Sequence, residues 1–426
     1  MAGVVILSFR RKGRNVGGGL GGSNGLQLTA FCAALLLAMP IGAAPAGEKI
    51  IILGAALSLS GKYALNGKHT RNGYDLAAGR INSQGGIAIR GTPHTIVIKY
   101  YDDQSTPARG TELAERLISQ DGVKYLLGPF SSGLTKAILP VVEKYGTPMI
   151  EANGAARELF NKGYRNIFAV LSTSDQYLAP AIELAAEHAE ALGKKPADVK
   201  FALAMENDPF AQDVRAGVLD DIERLGMRLV IDDQLPPDLD DMSVTLAKME
   251  ALRPDVLVIS GHEKGAVTAV TQLRSLNVHV PVLALTHCDS AQLAEKFPDA
   301  EFAFCAMQWD DTLDYKGELF TSPRHFAIEF RNAYGYEAPY QAAQSAAAVE
   351  VFADAFKRAQ SLDPKAVRDA IAATELETFY GKIKFDETGR NIAKTMVLSQ
   401  VRNGDYVIVW PPKHAKAKPV VPKPRP

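Results

Sequence analysis

Cysteine, tryptophan and surplus charge are scarce in this chain of 426 residues, which has 3 Cys, 2 Trp and a formal net charge of −1. So few cysteines exclude a disulfide-rich scaffold, and 47% hydrophobic with 22% charged residues is an ordinary globular composition. A charge near zero argues against a protein that coats nucleic acid, because such a surface needs a clustered surplus of Lys and Arg. We therefore expect no nucleic-acid partner.

The near-neutral total hides three unlike parts. Residues 1–46 contain four basic residues and no acid, and residues 411–426 contain five basic residues and no acid. Removing both leaves the body, 47–410, with a net charge of −10. The Pro- and Lys-rich end has little apolar surface to bury, which predicts a disordered tail over 411–426.

The one long apolar run lies at 26–41, after the basic cluster Arg10–Arg14. It is shorter than the roughly 20 apolar residues of a membrane-spanning helix, and this is typical of a secretory signal. The small residues at 44–46 fit a cleavage site, so the sequence predicts a signal peptide over 1–46 and a periplasmic product. Because no later run is long enough to span a bilayer, we do not expect a membrane receptor.

From Lys49 onward, short apolar runs alternate with segments of helical periodicity. Runs such as 50–57 and 124–130 are continuously apolar, which is typical of strands buried on both faces of a parallel sheet. The alternation restarts at 200–207, and two such series over about 360 residues exceed a single core. The sequence therefore predicts an α/β protein of two doubly wound lobes with a central cleft.

Two loops of the first series have the composition of an anion site. The segment 128–132, Gly-Pro-Phe-Ser-Ser, follows one predicted strand, and Ser131 or Ser132 can cap the next helix. The segment 151–156, Glu-Ala-Asn-Gly-Ala-Ala, follows the next strand. Ligands of parallel sheets bind beyond the carboxyl ends of strands, where helix N-termini offer N–H donors. These loops predict a carboxylate-sized site, and ordinary helix capping is the alternative.

Several motifs follow one another in a distinctive order: the Ser-Gly after the first strand, the INSQGGI turn, the YDDQSTP strand exit and the GP-x-S-S loop. This order resembles the extracytoplasmic solute-binding proteins of ABC importers, and in particular the leucine/isoleucine/valine-binding group of the type I periplasmic fold. The resemblance spans nearly all of 47–410. It implies a Venus-flytrap protein whose two lobes, joined by three crossings, close over a ligand. The implied lobes are 47–173 with 310–376, and 174–309 with 377–410.

The resemblance also implies which residues bind the ligand. Ser131 matches a hydroxyl that meets the ligand carboxylate, and the loop of Gly154 and Ala155 matches a second carboxylate loop in which Thr or Ser is frequent. With Ala there, backbone N–H groups carry more of that contact. Phe210 matches an aromatic residue that stacks on the ligand, and His262 matches another wall position. The predicted site residues are Ser131, Ser132, Asn153, Gly154, Ala155, Phe210, His262, Thr286 and, where an aromatic residue can cover the ligand, Asn66.

Thr286 departs from the resemblance, because amino-acid binders of this group have an acid there for the ligand ammonium. Burying an ammonium without a carboxylate costs several kcal/mol. Asp208, Glu263 or Asp289 could reach in, although we expect each to serve surface solvation. The expected ligand is a branched-chain or other hydrophobic amino acid, delivered to an ABC importer permease. The alternatives are an amine-free aromatic or branched carboxylate, a small amide, or a stand-alone ligand sensor.

Signals for catalysis are missing from the sequence. His262-Glu263 lacks the second histidine of a zinc helix, no G-x-S-x-G is present, and Ser131 has no recognisable His-Asp partner. We therefore predict no enzyme, metal or cofactor. Two alternatives stay open for Cys288 and Cys305 near the ends of predicted strands: a disulfide, which an oxidising compartment favours, or two buried thiols.

Overall fold

The computed structural model describes residues 49–424, so the predicted signal peptide lies outside the described residues. The first lobe is built on a six-stranded sheet of order β2-β3-β1-β4-β5-β6, in which only β2 is antiparallel to its neighbour. Three helices connect its strands. The elements are β1 Lys49–Leu57, α1 Ala64–Ser83, β2 Ile87–Ile89, β3 Thr92–Asp102, α2 Pro107–Ser119, β4 Tyr125–Leu127, α3 Ser132–Tyr145, β5 Met149–Glu151 and β6 Ile167–Ala169.

The second lobe is built on a seven-stranded sheet of order β15-β14-β11-β10-β9-β7-β8. Strands β7 to β11 are parallel, and β14 and β15 form an antiparallel edge. The elements are α4 Ala179–Glu187, β7 Lys200–Glu206, α5 Pro209–Arg224, β8 Arg228–Leu235, α6 Ser243–Leu252, β9 Val256–Ser260, α7 Glu263–Ser275, β10 Val282–Leu285, α8 Leu293–Lys296, β11 Phe304–Met307, β14 Val397–Arg402 and β15 Asp405–Trp410.

Between β11 and β14 the chain returns to the first lobe. Three helices and a small hairpin lie there: α9 Pro323–Tyr334, α10 Tyr340–Ala359, α11 Pro364–Ala372, β12 Glu375–Thr378 and β13 Gly381–Lys384. Helix α10 is buried along nearly its whole length and packs against α1. At their closest approach a Cβ on Gly73 would lie 2.1 Å from the carbonyl oxygen of Ala342, so only glycine fits there.

The two-lobed α/β architecture predicted from the sequence is confirmed. The strands called from continuous apolar runs are present, because strands buried on both faces leave that signal. The short elements β2, α4 and β12 gave too little pattern to be recognised. The Asn403-Gly404 turn joins β14 to β15 with both residues at positive φ, as a two-residue hairpin turn requires. Among the described residues, no helix is long and apolar enough to cross a membrane.

The C-terminal stretch differs from its predicted disorder. Residues 411–424 run along the second lobe, and the Val420 backbone exchanges hydrogen bonds of 3.0 Å in both directions with the side chain of Gln400. The Lys423 N–H donates to the Pro281 carbonyl at 2.8 Å, and Val421 packs against the core. This stretch has few apolar residues of its own, and the side-chain amide of Gln400 on β14 holds it by hydrogen bonds.

Candidate ligand-binding site

A small cavity lies between the lobes, at the carboxyl ends of strands from both sheets. Its volume is about 10 Å³, barely room for one water molecule, so ligand entry requires the lobes or side chains to move. Five of the predicted site residues line it. The lining residues are Phe130, Ser131, Ser132, Asn153, Tyr177, Phe210, His262, His287, Tyr340, Gln341 and Gln344.

Ser131 occupies a strained position at the start of α3. Its φ is +86°, in the left-handed region that residues with a Cβ rarely adopt, and such strain is typical of ligand-binding loops. The Oγ accepts a hydrogen bond of 3.3 Å from the Leu134 N–H and so caps the helix. Ser131 therefore combines capping with a place in the cavity wall, the two roles that the sequence left as alternatives.

Gly154 and Ala155, whose amides were predicted to hold a ligand carboxylate, lie behind the cavity wall. Neither residue lines the cavity, and both N–H groups already have partners. The Gly154 N–H donates to Glu151 Oε1 at 2.7 Å, and the Ala155 N–H donates to Ser132 Oγ at 3.0 Å. The side chains of Glu151 and Ser132 thus accept the hydrogen bonds of the N–H groups that the loop composition had indicated for a ligand.

Glu151 also explains the glycines of these two loops. Its side chain is fully buried, and a Cβ on Gly128 would lie 2.3 Å from Glu151 Oε2, while one on Gly154 would lie 2.4 Å from Thr135 Oγ1. Burial raises the pKa of Glu151 to about 7, against the opposing effect of hydrogen bonds from Asn153, Thr135 and Gly154. Gly128 thus makes room for the buried carboxyl, and Gly154 makes room for Thr135, whose hydroxyl donates to that carboxyl at 2.8 Å.

His262 forms the wall of the second lobe with Phe210. Its Nε2 lies 2.7 Å from Asp208 Oδ2, and the side chain is almost wholly buried. Burial opposes the charged imidazolium, but the charge and hydrogen bond of Asp208, with the charges of Glu206 and Glu263, raise the pKa of His262 above its ordinary value. Its Nδ1 is buried without a hydrogen-bond partner. Asp208 therefore favours the imidazolium form of His262 at the cavity, in which the Nδ1–H has no partner.

His287 also lines the cavity, although it is not among the predicted site residues. It is the second residue after β10, has a φ of +59° and lies with its ring centroid 5.1 Å from that of His262. Burial and the nearby His262 charge lower its pKa to about 3, so it is neutral. The signal available in the sequence was its place beside Thr286 at a strand end. Tyr177 and the α10 residues Tyr340, Gln341 and Gln344 carried no such signal.

Thr286 and Asn66 do not line the cavity. The Thr286 hydroxyl donates to the Gly261 carbonyl at 2.9 Å, which turns it towards the β9 loop. The Asn66 side chain donates across the lobes to Glu263. Both predictions placed the residue near the cleft, and in both cases a protein hydrogen bond fixes the side chain elsewhere.

The three acids near the cleft were expected to be solvated surface groups, but each of them contacts another group of the protein. Asp208 is bound to His262, Glu263 accepts from Asn66, and Asp289 accepts backbone N–H donors from Ser290 and Tyr340 at 2.8 Å. Burial raises the pKa of Asp289 to about 7. Each acid has a partner within the protein, and none lines the cavity.

Unpartnered polar atoms surround the cavity. Five buried side-chain atoms of its lining residues have no hydrogen bond, and leaving such an atom unpaired costs about 1–3 kcal/mol. A polar ligand between the lobes would satisfy them. The atoms are His262 Nδ1, His287 Nδ1, the Tyr340 hydroxyl, and Gln341 Oε1 and Nε2.

One group near the cavity has ligand atoms close enough for a metal ion: Glu206, Asp208 and His262, within 4.8 Å of one another. Lys62 Nζ lies 2.7 Å from Glu206 Oε1, and the backbone N–H of His262 donates to Glu206 Oε2. Asp208 is bound to His262 and caps α5 through the Ala211 N–H. These contacts already neutralise the group, which makes it an ion-pair network rather than a built metal site.

Cys288 and Cys305 form a disulfide, which decides the alternative left open by the sequence. It ties the loop that carries His287 to β11, the neighbouring strand. The carbonyl of Cys288 also accepts a hydrogen bond of 2.8 Å from the Tyr406 hydroxyl. The cavity face of the second lobe is thus fixed covalently beside the site.

Two α/β lobes that enclose a polar cavity at their strand ends define a protein that closes over a small ligand. The family model for periplasmic binding proteins matches residues 51–405, and the chain belongs to this family.

Similar proteins cover most of the chain. Leu/Ile/Val-binding protein homolog 7 of Brucella suis biovar 1 (strain 1330) is 25% identical over 397 residues, which are 90% of this chain and 96% of that protein. LivJ of Streptococcus pneumoniae, solved in complex with isoleucine, has a TM-score of 0.72 at 22% identity and covers 84% of this chain and 98% of its own. A solute-binding protein of R. palustris, solved in complex with benzoate, has a TM-score of 0.73 at 20% identity, covering 85% and 96%.

Proposed function

We propose that this chain is the periplasmic substrate-binding subunit of an ABC importer, and that its ligand is a small carboxylate without an amine, such as an aromatic or branched acid. The lobes, 47–173 with 310–376 and 174–309 with 377–410, close about their crossings, and the closed form is delivered to the membrane permease. The protein binds and releases its ligand without chemistry.

The observation that carries the ligand class is the composition of the cavity wall. Four aromatic side chains and two histidines line it, and no carboxylate does. A buried ammonium needs a carboxylate partner, and without one the cost is several kcal/mol. An aromatic or branched acid instead packs its apolar part against Phe130, Tyr177 and Phe210 and needs no buried anion.

The charge of His262 supports an anionic ligand group. With Nε2 held by Asp208, the Nδ1–H of the imidazolium is the one buried cationic donor among the lining residues. A charge-assisted hydrogen bond to a carboxylate is about twice as strong as a neutral one. On the first lobe, the Ser131 hydroxyl supplies a second contact, and the Gln341 amide lies free for the other carboxylate oxygen.

Similar proteins are consistent with either ligand class, since relatives are named for Leu, Ile and Val and one structural neighbour is a benzoate complex. The test is a thermal-shift and calorimetric comparison of benzoate, 4-methylpentanoate and L-leucine. We expect both acids to raise Tm and L-leucine to leave it unchanged. If L-leucine alone raised Tm, the ligand would be an amino acid and Asp208 or Asp289 would have to turn towards it.

A pair of histidine variants tests the role of the charge. His262→Gln should weaken benzoate binding by at least about tenfold, because the cationic donor is lost. His188→Gln, directly after the end of α4 and outside the cavity wall, is the matched control and should bind as the parent does. Equal affinity of the two variants would remove His262 from the binding site.

A further inference from the structure

A second, larger cavity lies beside the crossings between the lobes, away from the ligand cavity. Its volume is about 470 Å³, within the range of small-molecule sites. Both lobes contribute: His69 comes from α1, Tyr336 from the segment after α9, and Tyr406 from β15. Trp309 and Asp310 of one crossing complete the wall.

The charge of this cavity is unbalanced. Six carboxylates and two arginines line it, and both arginines are already paired, Arg324 with Asp311 and Arg331 with Glu337. Among the described residues, no salt bridge reaches the four remaining acids. They are Asp289, Glu295, Asp310 and Asp405.

These acids repel one another. Burial raises the pKa of Asp289 to about 7, and the charge of Glu295 adds to it. Burial likewise raises the pKa of Asp310 to about 6, with further contributions from Asp311 and Asp405. A cation in the cavity would relieve this repulsion.

An independent observation points to a hydrogen-bonding ligand. His69 is 3% exposed and lines the cavity, and its Nε2 has no hydrogen-bond partner. Burial, with the charge of Lys68, lowers its pKa to about 4, so the ring is neutral. Its Nδ1 lies 2.9 Å from the Tyr336 hydroxyl. When Nδ1–H donates to that hydroxyl, Nε2 is left as an acceptor for the N–H of an amine.

The remaining wall suits an organic cation better than a bare metal ion. Trp309, Tyr336 and Tyr406 present aromatic surface, which attracts organic cations. Lys68 Nζ already lies 5.3 Å from the centre of the Tyr336 ring, so one of these rings receives a cation within the protein. No three of the cavity acids bring their oxygens together as a metal site requires.

We propose that this cavity is a second binding site, which takes a small organic cation of the amine class between the four acids that no salt bridge reaches, the aromatic rings and His69 Nε2. Because residues of both lobes line it, an amine bound there holds the lobes in this relative position. The site is separate from the cavity between the strand ends.

The experiment is calorimetric titration of the full chain with putrescine at low ionic strength, with neutral 1,4-butanediol as the matched probe. We expect putrescine to bind and to raise Tm, and butanediol to do neither. No heat with putrescine, or the same Tm rise with magnesium chloride, would overturn the proposal, since the latter is ordinary screening of an acidic surface.

Variants of the cavity acids test whether putrescine binds in this cavity. Asp405→Asn, at the exposed first residue of β15, should weaken putrescine binding severalfold, and the double variant with Asp310→Asn should weaken it by at least about tenfold. Asp198→Asn, exposed and remote from the cavity wall, is the control and should bind as the parent does. Unchanged binding in Asp405→Asn and in the double variant would overturn the proposal. Benzoate titrations on the same variants report on the other site separately.

Discussion

Buried carboxyl groups without a cation partner mark individual positions of this protein. Glu350 on α10 is 6% exposed, its Oε2 has no hydrogen bond, and burial raises its pKa to about 8. Glu151 shares this character, with a pKa raised to about 7. Such groups favour the protonated form in the folded state, so they make stability depend on pH.

Glu350→Gln tests this dependence. The folded-state pKa lies above the unfolded value of 4.5, so the folded protein holds the proton more tightly and the resulting stability is lost as pH rises towards 8. Glutamine has no proton to lose there. We therefore expect the variant to have a higher Tm than the parent at pH 9 and a similar Tm at pH 4.5. Thermal unfolding at both values is the measurement, and the exposed Glu187→Gln should show no pH-dependent difference.

Among the structural elements, the loop after β10 is held by long-range contacts. It carries His287 at positive φ, the disulfide partner Cys288, and Asp289, whose carboxylate accepts the first N–H of α10 at Tyr340. The disulfide closes a segment of 17 residues. A disulfide that closes a loop of this length stabilises the folded protein by about 3 kcal/mol.

Reducing the disulfide should therefore lower the free energy of unfolding by about 3 kcal/mol. It should also weaken benzoate binding, because the loop holds His287 in the cavity wall. Urea unfolding and calorimetry with and without dithiothreitol measure both effects. The double variant Cys288→Ser and Cys305→Ser should have the stability and the benzoate affinity of the reduced parent, and dithiothreitol should change neither. A parent that also ignores dithiothreitol would contradict the prediction.

Over the whole molecule, polar contacts on both sides of the cavity hold the lobes together. Lys62 of the first lobe lies 2.7 Å from Glu206 Oε1 and 3.0 Å from Asp238 Oδ1 of the second. On the other side, Arg157 Nε lies 2.7 Å from Asp213 Oδ1. All three contacts join residues of different lobes, so they favour the form in which the lobes lie together.

Lys62→Met combined with Arg157→Met should shift the population towards the open form. Small-angle scattering should then give a larger radius of gyration, and benzoate should bind about two- to fivefold more weakly, because closure costs more. Arg109→Met removes an exposed ion pair with Glu112 inside one lobe and serves as the control. An unchanged radius and affinity in the double variant would show that these contacts do not govern closure.

Local patterns predicted most of the fold and part of the site. Strands such as β9 and β10 were recognised because burial on both faces requires apolar residues at successive positions. Ser131 was predicted because it follows a strand end, where parallel sheets bind ligands, and Phe210 because the resemblance implied an aromatic residue there; both line the cavity. Gly154 does not line it, for a reason that composition does not contain: its N–H donates to the Glu151 side chain.

The sequence by itself determined the alternation of strands and helices, the two lobes and the strand-end loops, since each follows from the periodicity of neighbouring residues. Only the tertiary structure decided which donors stay free, because that depends on partners far apart in the chain. Tyr340 of α10 lines the cavity, Asp208 pairs with His262, and the disulfide of Cys305 holds the loop that carries His287. The ligand chemistry lies in these long-range contacts, which fix the direction of side chains that sequence patterns place only on an element.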